Sequence, residues 1–369
     1  MRLIHISDTH LGFSAYTKTD PASGMNQREA DFYDAFVQGV DRAIELRPDL
    51  VVHSGDLFDT VRPQNRAIDV ALRQLIKLSE AGIDVVLISG NHSTPRLLET
   101  GNIFRIFEHL DNIHPIHEPG VTTVVSGDTT VHAVPHSANP PMSAALAQLR
   151  PSRETKYNLL ALHAGIDGSS RYRMDEFNEQ VVTPKMIPEE MDYVALGHFH
   201  RFSEVRKMMY YSGSTERNGF GEVGQQKGFV EVDLERESVK FHELKTRDMI
   251  DLSPVDAKSL TATEITADVR RRIEEDGLSG KIARLIVSNV ATEALRSLDV
   301  PAMRRYGAAA LHFELKVERA EVTRHIGTDS ATIGTLANEY RRFVEGMDVT
   351  DEKRQRLLVL GSPYFAEEE

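Results

Sequence analysis

The sequence predicts an α/β (α+β) protein. Two β-sheets pack as a sandwich flanked by helices, followed by a smaller α+β module and C-terminal helices. Three observations predict this. Apolar strand runs alternate with amphipathic helical stretches through the first hundred residues, as βαβ units require. From residue 121 the texture changes to short strand-like runs, which read as a second sheet packed on the first. Near residues 248–254 the pattern resets, and a compact set of helices and strands follows.

Taken in order, residues 2–7 alternate and end at Asp8, a first strand. Residues 27–46 place Ala30, Phe32, Phe36, Val37, Val40, Ala43 and Ile44 at helical spacing, and Pro48 stops that helix. Residues 50–53 are a second strand. Residues 65–81 form a helix closed by Gly82, and 84–89 a third strand. Ser93-Thr94-Pro95 reads as a helix start, a hydroxyl cap with proline in the first turn. His92 would then sit beside a helix N-terminus, where orphan N–H groups favour a phosphate. The second sheet is expected to take residues 121–126, 130–134, 158–163, 193–196, 209–212, 228–233 and 239–244. Pro140-Pro141 and residues 165–173 read as surface loops. Beyond them come a helix at 263–275, a strand at 281–289, a short helix at 301–306 and a strand at 310–319. Helices at 330–344 and 350–360 precede an acidic tail. The expected division is 1–247, 248–328 and 329–369.

The composition narrows the chemistry. A chain of 369 residues fits one large domain and a smaller one. Having no cysteine, it has no disulfide and no thiolate metal site, which leaves oxygen and imidazole ligands and a cytoplasmic location as the expectation. No run reaches the roughly 18 apolar residues of a membrane span, and Met1–Asp8 reads as a strand entering a polar motif, not a signal peptide. A net charge of −13 argues against a basic surface coating nucleic acid. It leaves open phosphate chemistry carried by divalent cations and local arginines.

The chemistry-bearing residues follow the apolar strands. Asp56 stands in Ser54-Gly55-Asp56-Leu57-Phe58-Asp59, where the second strand breaks into a loop, and ligands bind open α/β sheets at such carboxyl ends. Asp8 and His10, Asn91 and His92, His163, and His198 and His200 occupy similar places. Two aspartates, one asparagine and four histidines suit Mn²⁺, Fe²⁺ or Zn²⁺ better than Ca²⁺ or Mg²⁺. Seven ligands exceed one ion and suit two, with Asp56 the candidate bridge; two cations can clamp a phosphate and activate water. Singly, each motif has a plainer reading: a solvated strand end, a half-buried polar pair, a turn. Their joint occurrence after successive apolar strands outweighs it. The remaining histidines read as structural.

Asp8-x-His10, Gly55-Asp56-x-x-Asp59, Gly90-Asn91-His92 and Gly197-His198-x-His200 resemble the signature of the calcineurin-like metallophosphoesterases. Two narrower stretches are similar to SbcD-type DNA double-strand-break repair nucleases: Arg28 to Phe36, and Tyr211 to Val230 with its Phe220-Gly221-Glu222 and Lys227-Gly228-Phe229. The resemblance implies one metal held by Asp8, His10, Asp56 and His200, and another by Asp56, Asn91, His163 and His198. It implies that His92 contacts the scissile phosphate and assists the leaving oxygen. The cations implied are two Mn²⁺, the substrate DNA, the assembly a homodimer, and the partner an SbcC-type ABC ATPase docked on the final helices. Asp59, Arg62, Arg201 and Arg217 are the candidates for DNA contact. This sequence carries Ser93 where the family usually has an aspartate after the Gly-Asn-His histidine, so a hydroxyl is expected to accept the ring N–H. Two other readings stay open: a small-molecule phosphodiesterase with the same centre, and a DNA-end-binding scaffold with weak catalysis.

Overall fold

The computed structural model describes residues 1–95, 101–167, 180–320, 336–347 and 349–361. The body of the helix expected from Ser93, most of the loop expected at 165–173, and the start of the helix expected at 330 lie outside these residues. The chain forms two compact units, Met1–Arg319 and Ala320–Glu369.

In the first unit, β1 (Arg2–Ile6), β2 (Leu50–His53), β3 (Asp84–Ile88) and β4 (Ile113–Ile116) run parallel in that order. The crossovers carry α1 (Gln27–Leu46) and α2 (Asn65–Glu80). The Asn26 side chain caps α1 by accepting from the backbone N–H groups of Arg28 and Glu29, and Arg47 ends it with φ 49°. Phe36, Val40, Ala67, Ala71, Leu75 and Leu78 turn inward onto the outer face of this sheet. Each such large apolar side chain contributes about 1.5–3 kcal/mol when fully buried.

The second sheet comprises β5 (Thr122–Ser126), β6 (Thr129–Val134), β7 (Tyr157–His163), then β10 (Tyr193–Gly197), β11 (Ser203–Arg206) and β12 (Met209–Tyr211), in the order β11-β12-β10-β7-β6-β5. A short helix, α3 (Met142–Gln148), follows Pro141 and covers its outer face. Leu50, Val52, Val86, Val131, Leu159, Ala161 and Ala195 form the core between the sheets. The expected surface loop at 165 instead opens with a two-residue strand, β8 (Gly165–Ile166), paired with β9 (Val181–Val182).

One assignment of strands to sheets is corrected. The runs at 228–233 and 239–244 do not join the second sheet. As β13 (Gly228–Asp233) and β14 (Ser238–Glu243) they extend the first, β13 pairing antiparallel with β1. Alternation identifies a strand but not its neighbour, and β13 satisfies the β1 edge that the parallel order leaves open.

The small module packs α4 (Ala262–Asp276), α5 (Thr292–Ser297) and α6 (Val300–Tyr306) on a parallel sheet. There β15 (Met249–Asp251) and β16 (Val255–Asp256) pair along β17 (Ile282–Val290), which also pairs with β18 (His312–Arg319). A capping box between Thr261 and Glu264 starts α4. Arg247 grips Asp31 of α1 through two 2.7 Å hydrogen bonds and donates to the Gly280 carbonyl at 2.8 Å. The Tyr16 ring stacks on His312 with centroids 3.8 Å apart. These contacts seat the module against residues 16–31, next to the loop that carries His10. In the second unit, α7 (Leu336–Glu345) and α8 (Asp351–Gly361) are tied by the Tyr340 hydroxyl donating to the Leu357 carbonyl at 2.7 Å.

A polar bridge crosses the inter-sheet core. His5 of β1 lies 2.9 Å from the Tyr193 hydroxyl of β10 and 2.8 Å from the Ser54 hydroxyl. Burial pushes this histidine down to about 3, with neighbouring His53 adding to the shift. Its protonation is therefore favoured in the unfolded chain: its contribution is intact above the ordinary value of 6.5 and is lost as the pH falls toward 3. Denaturant titrations should show about 2 kcal/mol of stability lost at this site between pH 7 and pH 5. His5→Gln should flatten the pH dependence by about one proton; parallel pH profiles for the two proteins would contradict the assignment.

Candidate metal centre

Five strand ends converge on one pocket. Asp8 and His10 follow β1, Asp56 follows β2, Asn91 and His92 follow β3, His163 ends β7, and His198 and His200 follow β10. Asp8, His10, Asp56, His163, His198 and His200 are buried, Asp56 to 2% exposure, while Asn91 and His92 are half-buried. Asp8, His10, Asp56 and His198 all adopt positive φ, between 43° and 103°. Such backbone costs of order 1–3 kcal/mol per residue and persists only where the surroundings enforce it. Here the β1 and β2 loops stay hydrogen-bonded beyond the strands: Asp8 N donates to Gly55 O and His10 N to Asp56 O, both at 3.0 Å.

Three groups of side chains bring ligand atoms within 4.8 Å of one another: Asp8, His10 and His200; His10, Asp59 and His92; and Asp8, Asp56 and His163. Asp8 and His10 each belong to two of these groups, and Asp56 to one. One Asp56 oxygen accepts the His92 backbone N–H at 3.0 Å, and the other lies 3.1 Å from His163 Nε2. Asn91 Oδ1 is 2.8 Å from that same nitrogen. Asp8 accepts the His198 backbone N–H at 3.0 Å and the Ser7 hydroxyl.

The donor set fits divalent cations. His10 Nε2 and His200 Nε2 face each other at 3.0 Å, where two neutral rings can share at most one N–H. A cation would accept both lone pairs. Burial alone would raise the Asp56 carboxyl, but His163 outweighs it and holds Asp56 well below the ordinary carboxylate range. Burial likewise pulls His163 down, yet Asp56 carries it up to about 9. A proton on His163 thus balances the buried carboxylate, and a bound cation would displace it.

His92 is held differently from the sequence expectation. Its Nδ1 lies 2.7 Å from the Asp59 carbonyl, not on Ser93. The Ser93 hydroxyl is fully buried and has no partner among the described residues. The Asp59 side chain faces inward, 3.3 Å from His10 Nδ1. Arg217 is also occupied within the fold, donating to the Gln225 carbonyl at 2.6 Å and the Thr246 hydroxyl at 2.7 Å. Arg62 is exposed. Arg201 is exposed at the rim of a cleft of about 420 Å³, lined also by Phe199, His200, Asn218 and Gln225. Arg171 and Arg173, which flank the motif loops in the sequence, lie outside the described residues.

Sequence reasoning gave no separate role to Glu222 and Lys227. His200 Nδ1 donates to Glu222 Oε1 at 2.8 Å, and Glu222 Oε2 pairs with Lys227 Nζ at 2.6 Å. Burial would raise Glu222, but His200 and Lys227 hold it at about 2. No local signal marks them, since the stretch around them also carries Glu216, Arg217, Asn218, Gln225 and Gln226.

Comparison with known proteins agrees with this geometry. The family model for the calcineurin-like phosphoesterases matches residues 1–202. The DNA double-strand break repair protein Mre11 of Methanocaldococcus jannaschii is 30% identical over 305 residues, 77% of this chain and 77% of that protein. The Sulfurisphaera tokodaii protein of the same name is 35% identical over 208 residues, covering 54% of this chain and 49% of its own length. The Methanococcus maripaludis one is 28% identical over 63% of each chain. The chain thus spans only about half to two thirds of the length of the latter two relatives.

Close approach explains one glycine. A Cβ on Gly90 would lie 2.1 Å from Asp56 Oδ1 and 2.6 Å from Asp56 N. Gly90→Ala should therefore displace Asp56 and weaken Mn²⁺ binding by about tenfold or more, measured by calorimetric titration. Unchanged affinity would show that Asp56 takes no part in holding the ion.

Proposed function

Since the chain belongs to the calcineurin-like phosphoesterase family, and within it to the Mre11 group, we propose that it is a DNA nuclease using two divalent cations, Mn²⁺ foremost. Its reaction would hydrolyse phosphodiester bonds at duplex ends or in single strands during double-strand-break repair. The observation that carries this reading is the convergence of Asp8, His10, Asp56, Asn91, His92, His163, His198 and His200 from five strand ends.

In this reading Asp8, His10, Asp56 and His200 hold one cation, and Asp56, Asn91, His163 and His198 the other. The pair would supply Lewis acidity at the phosphate and an activated water for in-line attack. The protein's own groups do the rest. His92 donates Nδ1–H to the Asp59 carbonyl, which fixes the ring, and acts through Nε2. Protonated there, it gives its proton to the departing sugar oxygen. Arg201 lies at the cleft rim, where its charge suits a neighbouring phosphate.

Partners follow from what the fold leaves uncovered. Ile68, Leu72 and Ile76, four residues apart on α2, are half-buried or exposed although the rest of that apolar face packs on the sheet. This row suits a homodimer seam. Phe343 on α7 and Val359 and Leu360 on α8 are exposed, which suits docking of an SbcC-type ABC ATPase. The division at 1–247, 248–328 and 329–369 assigns nuclease, DNA-facing and ATPase-docking roles in turn. Among the described residues no helix is long and apolar enough to cross a membrane, and we place the protein in the cytoplasm.

The test offers the protein Mn²⁺ with end-labelled duplex, single-stranded DNA and a chromogenic phosphodiester. DNA cleavage should fall about 10²–10⁴-fold in His92→Ala and be abolished in Asp56→Asn. Cleavage of the chromogenic ester alone would favour a small-molecule phosphodiesterase. Tight DNA binding without turnover would favour a scaffold.

A further inference from the structure

Behind His200 lies a buried charged pair, Glu222 and Lys227, which holds that histidine from two sides and also bonds Asn218, Ser214 and Gln225. Glu222 takes the ring from the rear, accepting Nδ1–H at 2.8 Å. Lys227 takes the backbone, donating to the His200 carbonyl and to the Ser214 hydroxyl, both at 2.9 Å, while pairing with Glu222 at 2.6 Å. Lys227 is 1% exposed and Glu222 7%. Buried ion pairs seldom add stability over apolar residues of similar volume, so this arrangement asks for another explanation.

We propose that Glu222 and Lys227 are positioning residues for the metal centre: together they fix the tautomer and the place of His200, so that its Nε2 lone pair faces the cation shared with Asp8 and His10. The inference rests on the metal-centre reading above and deepens it. Glu222 cannot ligate the same ion, because its oxygen sits on Nδ1, across the ring from Nε2. With the proton held on Nδ1, Nε2 stays free for the cation. Without that acceptor the proton can move to Nε2, where it faces His10 Nε2 3.0 Å away and blocks ligation. His10 Nδ1 lies 3.3 Å from the Asp59 carboxylate, but the contrast with two other rings supports a tuning role. His163 and His92 rest Nδ1 on backbone carbonyls, of Ser54 and Asp59. His200 rests on a carboxylate, which strengthens the ring as a ligand. Lys227 pairs with that carboxylate and anchors the histidine's main chain, so ring and backbone are set by one strut.

The full 369-residue chain is titrated with Mn²⁺ alone, followed by calorimetry and by electron paramagnetic resonance, which separates a coupled ion pair from single ions. Thermal unfolding of each apoprotein is recorded alongside. Wild type should take up two ions. Glu222→Ala should weaken one ion about 10–100-fold, leave the other within about threefold, and replace the coupled signal by that of a single ion. Lys227→Met should move the same ion in the same direction. Glu222→Gln keeps an acceptor for Nδ1–H and should restore most of the lost affinity even if its unfolding temperature falls. Wild-type affinity for both ions in Glu222→Ala would overturn the strut and leave the metal centre standing. So would equal loss of both ions in Glu222→Ala and Glu222→Gln, which marks a general structural role. Failure of the wild type to take up Mn²⁺ would overturn the metal-centre reading, and the strut with it.

Discussion

Asp8 and Asp56 are two acidic side chains buried in one pocket, and the pocket's design follows from satisfying their oxygens. Moving an unpaired carboxylate out of water costs several kcal/mol even after the protein relaxes. Each therefore accepts a backbone N–H from a neighbouring strand end: Asp8 from His198, Asp56 from His92. The loops turn sharply around these contacts, with positive φ at Asp8, His10, Asp56 and His198. Histidines complete the balance. His163 lies against Asp56, and the His10 and His200 rings meet at Nε2. The two-sheet sandwich is the frame that brings these strand ends to one side.

The small module bears on the same pocket through residues 16–31. Tyr16 stacks on His312, Lys18 donates to the carbonyls of Ala308 and Ala310, and Arg247 clamps Asp31. Arg28, beside Asp31 on α1, reaches Glu216 in the segment that leads to Glu222. One continuous set of polar contacts thus runs from the module to the residues behind His200.

Much of this was legible in the sequence because the signals are local. The α1 span follows from helical spacing and Pro48, and β2 from the apolar run before Ser54. The clustered acidic and imidazole side chains were legible because each lies at or just beyond the end of a buried strand. What escaped is what depends on neighbours distant in the chain. Alternation could not say that β13 pairs with β1. Nothing near Ser93 announced that His92 would lean on the Asp59 carbonyl, because the β2 and β3 loops meet only in the fold. Arg217 reads as a free surface cation until the carbonyls of residues 225 and 247 close around it. Glu222 lies 22 residues from the histidine it serves.

The most direct test is crystallographic. Crystals grown or soaked with Mn²⁺ and measured at the manganese absorption edge locate each ion without reference to activity. The account predicts two anomalous peaks about 3.5–4 Å apart, one beside His10 and His200 and the other beside His163 and His198, with an aspartate oxygen between them. A single peak, or peaks away from these side chains, would contradict it.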